Sequence, residues 1–247
     1  MKNILKWKPS RFVYSNNKLI ASRDTREVQI SSRLMVDLIA ELYNLNIKKF
    51  CSRRLCDLGC GKVPLYGVYK SYIKENICVD WKNTSHKSEY VDFELDLTRK
   101  LPFKKSEFDT IILSDVLEHI PNPENLFKEM KRILKKKGKI LLNTPFYYWI
   151  HEEPHDYFRY TRYSLMRFAR HYKFKIIQLN VVGGMPEVIA DILAKNFVKI
   201  SFIGKTLSSF VQKVAYLFVK NTKFGKKLSF ETTRYFPLGY FMVLEKN

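Results

Sequence analysis

Residues 57–61 and Asp80 combine side-chain types and a spacing that suit a nucleoside-like ligand. Residues 57–61 read Asp-Leu-Gly-Cys-Gly, and the two glycines let the backbone turn sharply and approach a ligand where a Cβ atom would collide. Asp80 follows 19 positions after the second glycine, where a carboxylate can accept hydrogen bonds from both ribose hydroxyls. Position 64 is Pro instead of the third glycine of the GxGxxG pattern, which binds a pyrophosphate at an open helix N-terminus. The segment therefore favours a mononucleoside over a dinucleotide.

A second group of reactive side chains lies in residues 145–161, which are rich in aromatic and charged types. A neutral histidine can remove the proton of an alcohol near pH 7, so His151 and His155 are candidate general bases. Asp156 can orient one of them. The alternative is that both histidines bond only to loop carbonyls. The side chains expected to contact an acceptor are Tyr147, Tyr157, Arg159 and Tyr160; the arginine can pair with an acidic acceptor or with a nearby glutamate.

Residues 151–155 read His-Glu-Glu-Pro-His, which matches the HExxH pattern of zinc proteases. Zinc binding by that pattern needs both histidines on one face of a helix, and Pro154 would remove a helix hydrogen bond and clash with the preceding turn. We therefore expect an irregular loop, followed by a helix over residues 163–171, and no metal site.

The elements that must position these residues alternate between strands and helices. The predicted strands are 54–58, 77–80, 90–95, 108–113, 139–143, 174–182 and 237–244. The predicted helices are 25–45, 65–73, 163–171 and one that begins after Asn122 as N-cap and ends at Gly138. This order predicts an α/β fold with a mostly parallel sheet and helices on both faces. Ligands of such sheets bind beyond the carboxyl ends of the strands, where residues 57–61 and Asp80 fall.

Together, these motifs resemble the class I methyltransferases that use S-adenosylmethionine (SAM). The resemblance covers residues 50–182 and returns at the C-terminal strand. It implies a Rossmann-like sheet of seven strands, with the last strand antiparallel beside residues 139–143. It also implies that the DLGCG loop holds the amino-acid end of SAM, that Asp80 holds the ribose, and that Asp96 contacts the adenine. The full set of implied cofactor-binding residues is Asp57, Gly59, Cys60, Gly61, Asp80, Trp81, Asp96, Leu97, Ser114, Asp115 and His119.

The chain resembles the methyltransferase families called type 11 and type 12. The pattern in residues 145–161 is similar to that of members from bacterial surface-polysaccharide and lipid-linked sugar pathways. That resemblance implies O-methylation of a small-molecule or glycan acceptor, with a sugar hydroxyl first. A quinone-like or lipid-like acceptor is the alternative. RNA methylation ranks third, because the chain reads Asn-Thr-Pro-Phe from Asn143, unlike the Asn-Pro-Pro-Tyr tetrad of base-amine methyltransferases. A binding module without SAM is the non-enzymatic alternative.

Composition sets the wider limits. The chain has 247 residues, of which 46% are hydrophobic, and this predicts one domain over residues 1–247. A formal net charge of +20 favours nucleic acid, an anionic membrane surface or a phosphorylated substrate as a neighbour, or else it is only solvated surface. Four cysteines without paired CxxC spacing, and a start without an apolar segment, predict a reduced, cytoplasmic protein.

Residues 183–236 separate the last two predicted strands, and we expect them to form a helical insertion that caps the acceptor side. Apolar residues recur at helical spacing from Ile203 to Phe218, with lysines between and after them. A basic helix with a broad apolar side can lie in the membrane–water interface, here on the inner side of the membrane. More often such a helix packs against its own domain or against a second subunit, so a homodimer is the alternative to membrane contact.

Overall fold

The computed structural model describes residues 1–83 and 88–247, in which strands and helices alternate. The strands are β1 (Phe12–Ser15), β2 (Lys18–Ala21), β3 (Arg53–Leu58), β4 (Ile73–Asp80), β5 (Phe93–Glu94), β6 (Phe108–Ser114), β7 (Leu134–Pro145), β8 (Phe174–Val182) and β9 (Gly239–Lys246). The α-helices are α1 (Arg33–Phe50), α2 (Tyr66–Tyr69), α3 (Pro123–Ile133), α4 (Arg162–His171), α5 (Met185–Phe197), α6 (Gly204–Asn221) and α7 (Lys223–Thr232). None of these helices combines the length and the apolar composition that crossing a bilayer requires.

The main sheet has seven strands in the order β5-β4-β3-β6-β7-β9-β8. The central strands β4, β3, β6 and β7 pair in parallel, and the final strand β9 is antiparallel. The predicted Rossmann-like sheet, with β9 placed next to β7, is therefore confirmed. The order reverses between β3 and β6, which is where a doubly wound sheet opens a crevice at its carboxyl edge.

The described residues form two compact units. The first comprises residues 1–8, 45–180 and 240–247, and it contains all the candidate site residues named above. The second comprises residues 9–44 and 181–239, with the β1–β2 hairpin and helices α5, α6 and α7. These three helices occupy the segment in which the sequence predicts a helical insertion.

Several predicted boundaries are wrong for local reasons. Helix α1 begins only at Arg33, because the backbone and side chain of Asp24 hold residues 24–28 in a turn. Helix α3 ends at Ile133 instead of Gly138, since Leu134 already pairs with Phe108 in the sheet. The helix predicted over 65–73 is shorter, because Ile73 already pairs with β3. Asn122 stands at the N-cap of α3, but its side chain makes no capping hydrogen bond.

Candidate functional site

The carboxyl ends of neighbouring strands bring the sequence motifs to one edge of the sheet. Leu58 at the end of β3 pairs with Val79 of β4, so the glycine-containing turn and Asp80 emerge side by side. Ser114 at the end of β6 pairs with Asn143 of β7 in the same way. The parallel sheet therefore places three segments at a common edge. They are the 57–61 turn with Asp80, residues 114–119, and the loop after β7.

The turn after β3 is built around two residues with positive φ. Gly59 has φ +72° and Gly61 has φ +50°, a region that residues with a Cβ atom adopt only at a cost. The backbone nitrogens of Gly59 and Cys60 donate to the carbonyl oxygen of Val79. A Cβ atom added at Gly59 would lie 2.3 Å from Cγ2 of Val116. Only glycine fits this turn, which keeps backbone close to the sheet edge.

Asp80 ends β4 with its carboxylate fixed by two backbone donors. The nitrogen of Gly61 lies 2.5 Å from Oδ2, and the nitrogen of Trp81 lies 2.6 Å from Oδ1. The side chain is therefore oriented by the same turn that the sequence predicts to hold the cofactor. Asp57, in contrast, is buried inside β3 and accepts from the hydroxyl of Tyr69. Burial raises the pKa of Asp57 to about 7.

Asp96 and Leu97 follow the short strand β5. The carboxylate of Asp96 accepts from the nitrogen and hydroxyl of Thr98 and pairs with Arg99. These contacts, led by the Thr98 hydroxyl, lower the pKa of Asp96. Leu97 is buried. Asp96 is thus ionised and held on its own turn, one strand beyond Asp80.

Residues 114–119 are held by the end of β7. Asp115 has φ +51°, its nitrogen donates to the carbonyl of Asn143, and the Asn143 amide donates to its carboxylate. The hydroxyl of Thr144 donates to Oε2 of Glu118. Glu118 is not among the site residues predicted from the sequence, although a charged residue four positions after a buried apolar strand was a usable signal. Glu118 is completely buried.

Asp156 contacts His151, an arrangement that the sequence analysis allowed for an orienting carboxylate and one of the two histidines. Oδ2 of Asp156 lies 3.2 Å from Nδ1 of His151 and accepts from its backbone nitrogen at 2.9 Å. Arg159 donates to both carboxylate oxygens. Burial alone would raise the pKa of Asp156, but the hydrogen bonds from Arg159 and His151 outweigh it and lower the pKa to about 2. Burial lowers the pKa of His151, so its ring is neutral at pH 7.

The Nε2 side of His151 faces a buried cluster. Oε1 of Glu118 lies 4.0 Å from Nε2 of His151 and 3.8 Å from Nε2 of His119. The three atoms lie within 4.8 Å of one another, a geometry in which they can share a metal ion. Burial, followed by the charge of Asp115, raises the pKa of Glu118 well above its ordinary value.

His155 has different neighbours. Its Nδ1 lies 3.1 Å from the hydroxyl of Tyr157, and its ring packs edge-on against Trp81 with centroids 4.9 Å apart. Its carbonyl oxygen lies 2.9 Å from Nδ1 of His119. His155 therefore connects the end of β4, next to Asp80, with the cluster at the end of β6. The peptide bond between Glu153 and Pro154 is cis, and the segment is a loop, as predicted.

The residues predicted to contact the acceptor fall into two groups. Tyr147 and Tyr157 are exposed. Tyr160 is buried, with its hydroxyl donating to the carbonyl of Leu117. Arg159 binds Asp156 and donates to the carbonyl of Trp149. The structure thus gives Arg159 a role in holding the loop.

Comparison with known families finds a methyltransferase domain over residues 26–178. Among curated proteins, the uncharacterized protein MJ0638 of Methanocaldococcus jannaschii is 31% identical over 123 residues. That match covers 43% of this chain and 48% of the relative, so the chain spans about half the relative's length.

Two solved structures illustrate the fold. A SAM-dependent methyltransferase from Archaeoglobus fulgidus is similar with a TM-score of 0.53 and 17% identity, over 83% of this chain and 94% of the other. Phosphoethanolamine N-methyltransferase 2 of Haemonchus contortus, in complex with phosphomonomethylethanolamine and S-adenosylhomocysteine, is similar with a TM-score of 0.52 and 16% identity, over 90% of this chain and 57% of the other. At these identities the likeness shows a shared fold.

Proposed function

Since this chain belongs to the methyltransferase domain family, we propose that it transfers a methyl group from SAM to a hydroxyl of a small-molecule or glycan acceptor. The turn at Gly59 supports SAM binding, because its positive φ and its close packing against Val116 hold the loop backbone at the sheet edge beside Asp80. Asp80 and Asp96 stand at successive strand ends with carboxylates fixed by backbone donors. SAM supplies an electrophilic methyl carbon and leaves as S-adenosylhomocysteine.

The chain's own residues hold the cofactor in distinct ways. The turn over residues 57–61 offers backbone groups to the amino-acid end of SAM. The carboxylate of Asp80 accepts from the ribose hydroxyls, and Asp96 with the buried Leu97 serves the adenine. Residues 114–119 line the methionine side, next to the loop that carries His151. These assignments follow the family resemblance, and the common sheet edge supports them.

The observation that carries the choice of a hydroxyl acceptor is the pairing of His151 with Asp156. An alcohol loses its proton during attack on the methyl carbon, so a methyltransferase for hydroxyls needs a neutral, oriented proton acceptor or an equivalent group. Asp156 fixes the His151 ring, and burial keeps that ring neutral at pH 7. We infer that the acceptor hydroxyl is deprotonated at the cluster of Glu118, His119 and His151.

A sugar hydroxyl is the acceptor that the surrounding loop favours. Aromatic side chains are exposed along it, and the apolar face of a sugar ring packs well on such surfaces. These exposed side chains are Tyr147, Trp149, Tyr157 and Phe158. The test is SAM turnover with nucleotide sugars, lipid-linked sugars, quinone precursors and RNA, with His151→Ala as the inactive control. Methylation of a quinone precursor or RNA, with none of any sugar, would contradict the sugar assignment.

We also propose that helices α5, α6 and α7 bind an anionic membrane surface. The reason is that these helices bury polar side chains and expose large apolar ones. The residues that α6 buries are Gly204, Ser208 and Gln212. The apolar stripe predicted for this helix is instead exposed at Phe210 and, to a lesser extent, at the residues of the following turns, Val214 and Leu217. A helix of a water-facing domain normally buries its apolar face.

Polar side chains are buried in this helical segment, beside the apolar Val188, Ala190 and Ala194 of α5. In α5, Lys195 and Asp191 form a buried ion pair. Glu187 accepts from the hydroxyl of Ser229 on α7. The amide of Gln212 donates to the carbonyl of Ile30, and its oxygen accepts from the backbone nitrogen of Leu34. Small and polar residues at helix contacts, with apolar residues outside, are typical of helices that face lipid.

Charge complementarity favours an anionic membrane as the occupant of this surface. Within residues 183–236 the exposed acidic residue is Glu231. The exposed basic residues of the same segment are Lys199, Lys205, Lys213, Lys220, Lys223, Lys226, Lys227 and Arg234. Each lysine near an anionic lipid surface adds about 1 kcal/mol of binding free energy, which salt weakens. Membrane binding would bring the protein to lipid-linked acceptors.

Flotation with liposomes tests this proposal. The wild-type protein should float with vesicles containing phosphatidylglycerol at low salt, and less at high salt or with phosphatidylcholine alone. The double variant Phe202→Ser/Phe230→Ser should lose binding, because both side chains are strongly exposed. Leu5→Ser, at a strongly exposed apolar residue outside residues 183–236, is the control. A protein that ignores anionic vesicles and forms a dimer broken by Phe210→Ser would overturn the membrane proposal.

A further inference from the structure

Glu118 and two histidines converge at the end of β6, with Oε1 of Glu118 and Nε2 of each ring within 4.8 Å of one another. Oε1 of Glu118 and Nε2 of His119 are buried and have no hydrogen-bond partner among the described residues. Nε2 of His151 lies 4.0 Å from the same carboxylate oxygen. These separations are too long for hydrogen bonds, so the three groups do not satisfy one another directly.

The hydrogen bonds on the far side of each ring fix which nitrogen carries the proton. Nδ1 of His119 lies 2.9 Å from the carbonyl oxygen of His155, an acceptor, so Nδ1 is the protonated nitrogen. Nδ1 of His151 faces the carboxylate of Asp156 and the carbonyl of Trp149, so it is protonated as well. Both rings therefore present the lone pair of Nε2 toward Oε1 of Glu118.

We propose that Glu118 Oε1, His119 Nε2 and His151 Nε2 bind a divalent transition-metal ion, with zinc as the first candidate. Donor atoms on one tetrahedral zinc ion lie about 3.4 Å apart, given bonds of about 2.0–2.2 Å. The two separations from Glu118, 3.8 and 4.0 Å, need to close by only about half an ångström. The sequence pattern that suggested zinc, His151 with His155, is not the ligand set. His155 contributes its backbone carbonyl behind His119 instead.

The outer contacts match those of metal-bound histidines. A ligating histidine usually donates its second N–H to a carboxylate or to a backbone carbonyl, which fixes the ring. Asp156 supplies the carboxylate for His151, and His155 supplies the carbonyl for His119. Asp156 is itself held by Arg159. The arrangement thus has ligands and supporting contacts in place.

This inference rests on the proposed function for its chemistry. Two histidines and one glutamate leave a coordination position open, as in catalytic zinc sites. A hydroxyl oxygen that binds there loses its proton more readily, because the cation stabilises the alkoxide. The released proton passes to solvent, and the oxidation state of the metal does not change. His151 then acts on the acceptor through the metal, and Asp156 is a positioning residue.

Titration calorimetry with zinc chloride on the intact protein tests the site. The wild type should bind one equivalent. Asp156→Asn should weaken binding by about 10- to 100-fold, and the loss of a ligand in Glu118→Gln or His119→Ala should weaken it more. His171→Ala, which removes a histidine from the end of α4, should bind zinc as the wild type does. Thermal unfolding of each variant shows that it is folded.

A second readout separates this inference from the proposed function. Cobalt(II) in place of zinc should give an absorption spectrum of a low-coordinate site in the wild type and lose it in Glu118→Gln. Binding of S-adenosylhomocysteine is measured on the same samples. Cofactor binding without saturable zinc or cobalt binding overturns the metal site and leaves the methyltransferase proposal standing. Metal binding without cofactor binding does the reverse. Zinc affinity equal in wild type and Glu118→Gln would also overturn the site.

Discussion

Asp156 contacts His151 at two points, the ring nitrogen Nδ1 at 3.2 Å and the backbone nitrogen at 2.9 Å, both through Oδ2. The contact sets the direction of the ring, because the same carboxylate is clamped by Arg159. Nε2 of His151 consequently faces Glu118 and the sheet edge. His155, four residues along the loop, contacts Tyr157 and Trp81 instead. The two histidines that the sequence left as equals are therefore distinct in the structure.

This difference predicts unequal effects of two alanine substitutions. His151→Ala should lower kcat by roughly 10²–10⁴-fold, the usual contribution of assisted proton removal, because the variant loses both a base and a ligand of the proposed metal. His155→Ala should cost much less, since its backbone carbonyl still contacts His119. SAM affinity should stay within about twofold of wild type in His151→Ala. The measurement is single-turnover methyl transfer to the acceptor found by the screen, with SAM affinity from calorimetry.

Asp156→Asn is the companion variant for the same assay. It keeps the size of the side chain but weakens the contacts to Arg159 and to Nδ1 of His151. We expect kcat to fall while the KM for SAM changes little. If His155→Ala were as slow as His151→Ala, and Asp156→Asn were fully active, the assignment of His151 would be wrong.

The turn at Gly59 predicts a stability effect with an internal control. Gly59→Ala places a Cβ atom at φ +72° and 2.3 Å from Val116. The positive φ costs about 1–2 kcal/mol, and the overpacking adds about 1–3 kcal/mol. The free energy of unfolding, from urea denaturation, should fall accordingly. Adding Val116→Ala should relieve the overpacking but not the φ cost. A Gly59→Ala protein as stable as wild type would show that the turn has another conformation.

Asp57 predicts a pH dependence of stability. Burial raises its folded-state pKa from 3.8 to about 7, so the folded protein holds a proton that the unfolded chain releases above about pH 4. The contribution to stability is complete below pH 4 and is lost as the pH rises through 7. The loss is at most about 4 kcal/mol, from about 1.4 kcal/mol per pKa unit.

Asp57→Asn removes this titration. Urea denaturation at a series of pH values from 4 to 8 should show a smaller fall in stability for the variant than for the wild type. The difference between the two proteins isolates Asp57 from the other groups that titrate in this range. Parallel curves for the two proteins would mean that Asp57 is ionised in the folded state, against the effect of its burial.

The sheet could be predicted from the sequence because its strands are apolar and bounded by turn residues. For residues 174–182 the predicted strand and β8 have the same bounds. The β1–β2 hairpin was missed, although Asn16 and Asn17 take the positive φ values that such a two-residue turn needs. The end of α3 was misplaced because lysines and a following glycine resemble a helix C-terminus, whereas pairing with β6 decides the boundary.

The sequence could select most of the side chains that meet at the sheet edge, but not the contacts between them. Asp80 and the glycine turn could be selected because their spacing follows the strand ends. Glu118 was overlooked, since its role depends on burial next to His151, which lies 33 residues further along the chain. The choice between His151 and His155 also needed the structure, because the loop conformation decides which ring Asp156 reaches. The exposure of apolar side chains on α6 also could not be predicted, because the helical spacing of these residues suggests that they are buried.

Calorimetric titration with SAM and S-adenosylhomocysteine tests the central claim most directly. The wild-type protein should bind both, and Asp80→Ala should weaken binding by about 1.5–3 kcal/mol for each charge-assisted hydrogen bond that is lost. Glu75→Ala is the matched control, because Glu75 lies on the same strand β4 toward its other end, where it pairs with Arg54, and binding should be unchanged. A wild-type protein that binds neither compound, or an Asp80→Ala variant that binds as tightly as the wild type, would contradict the account.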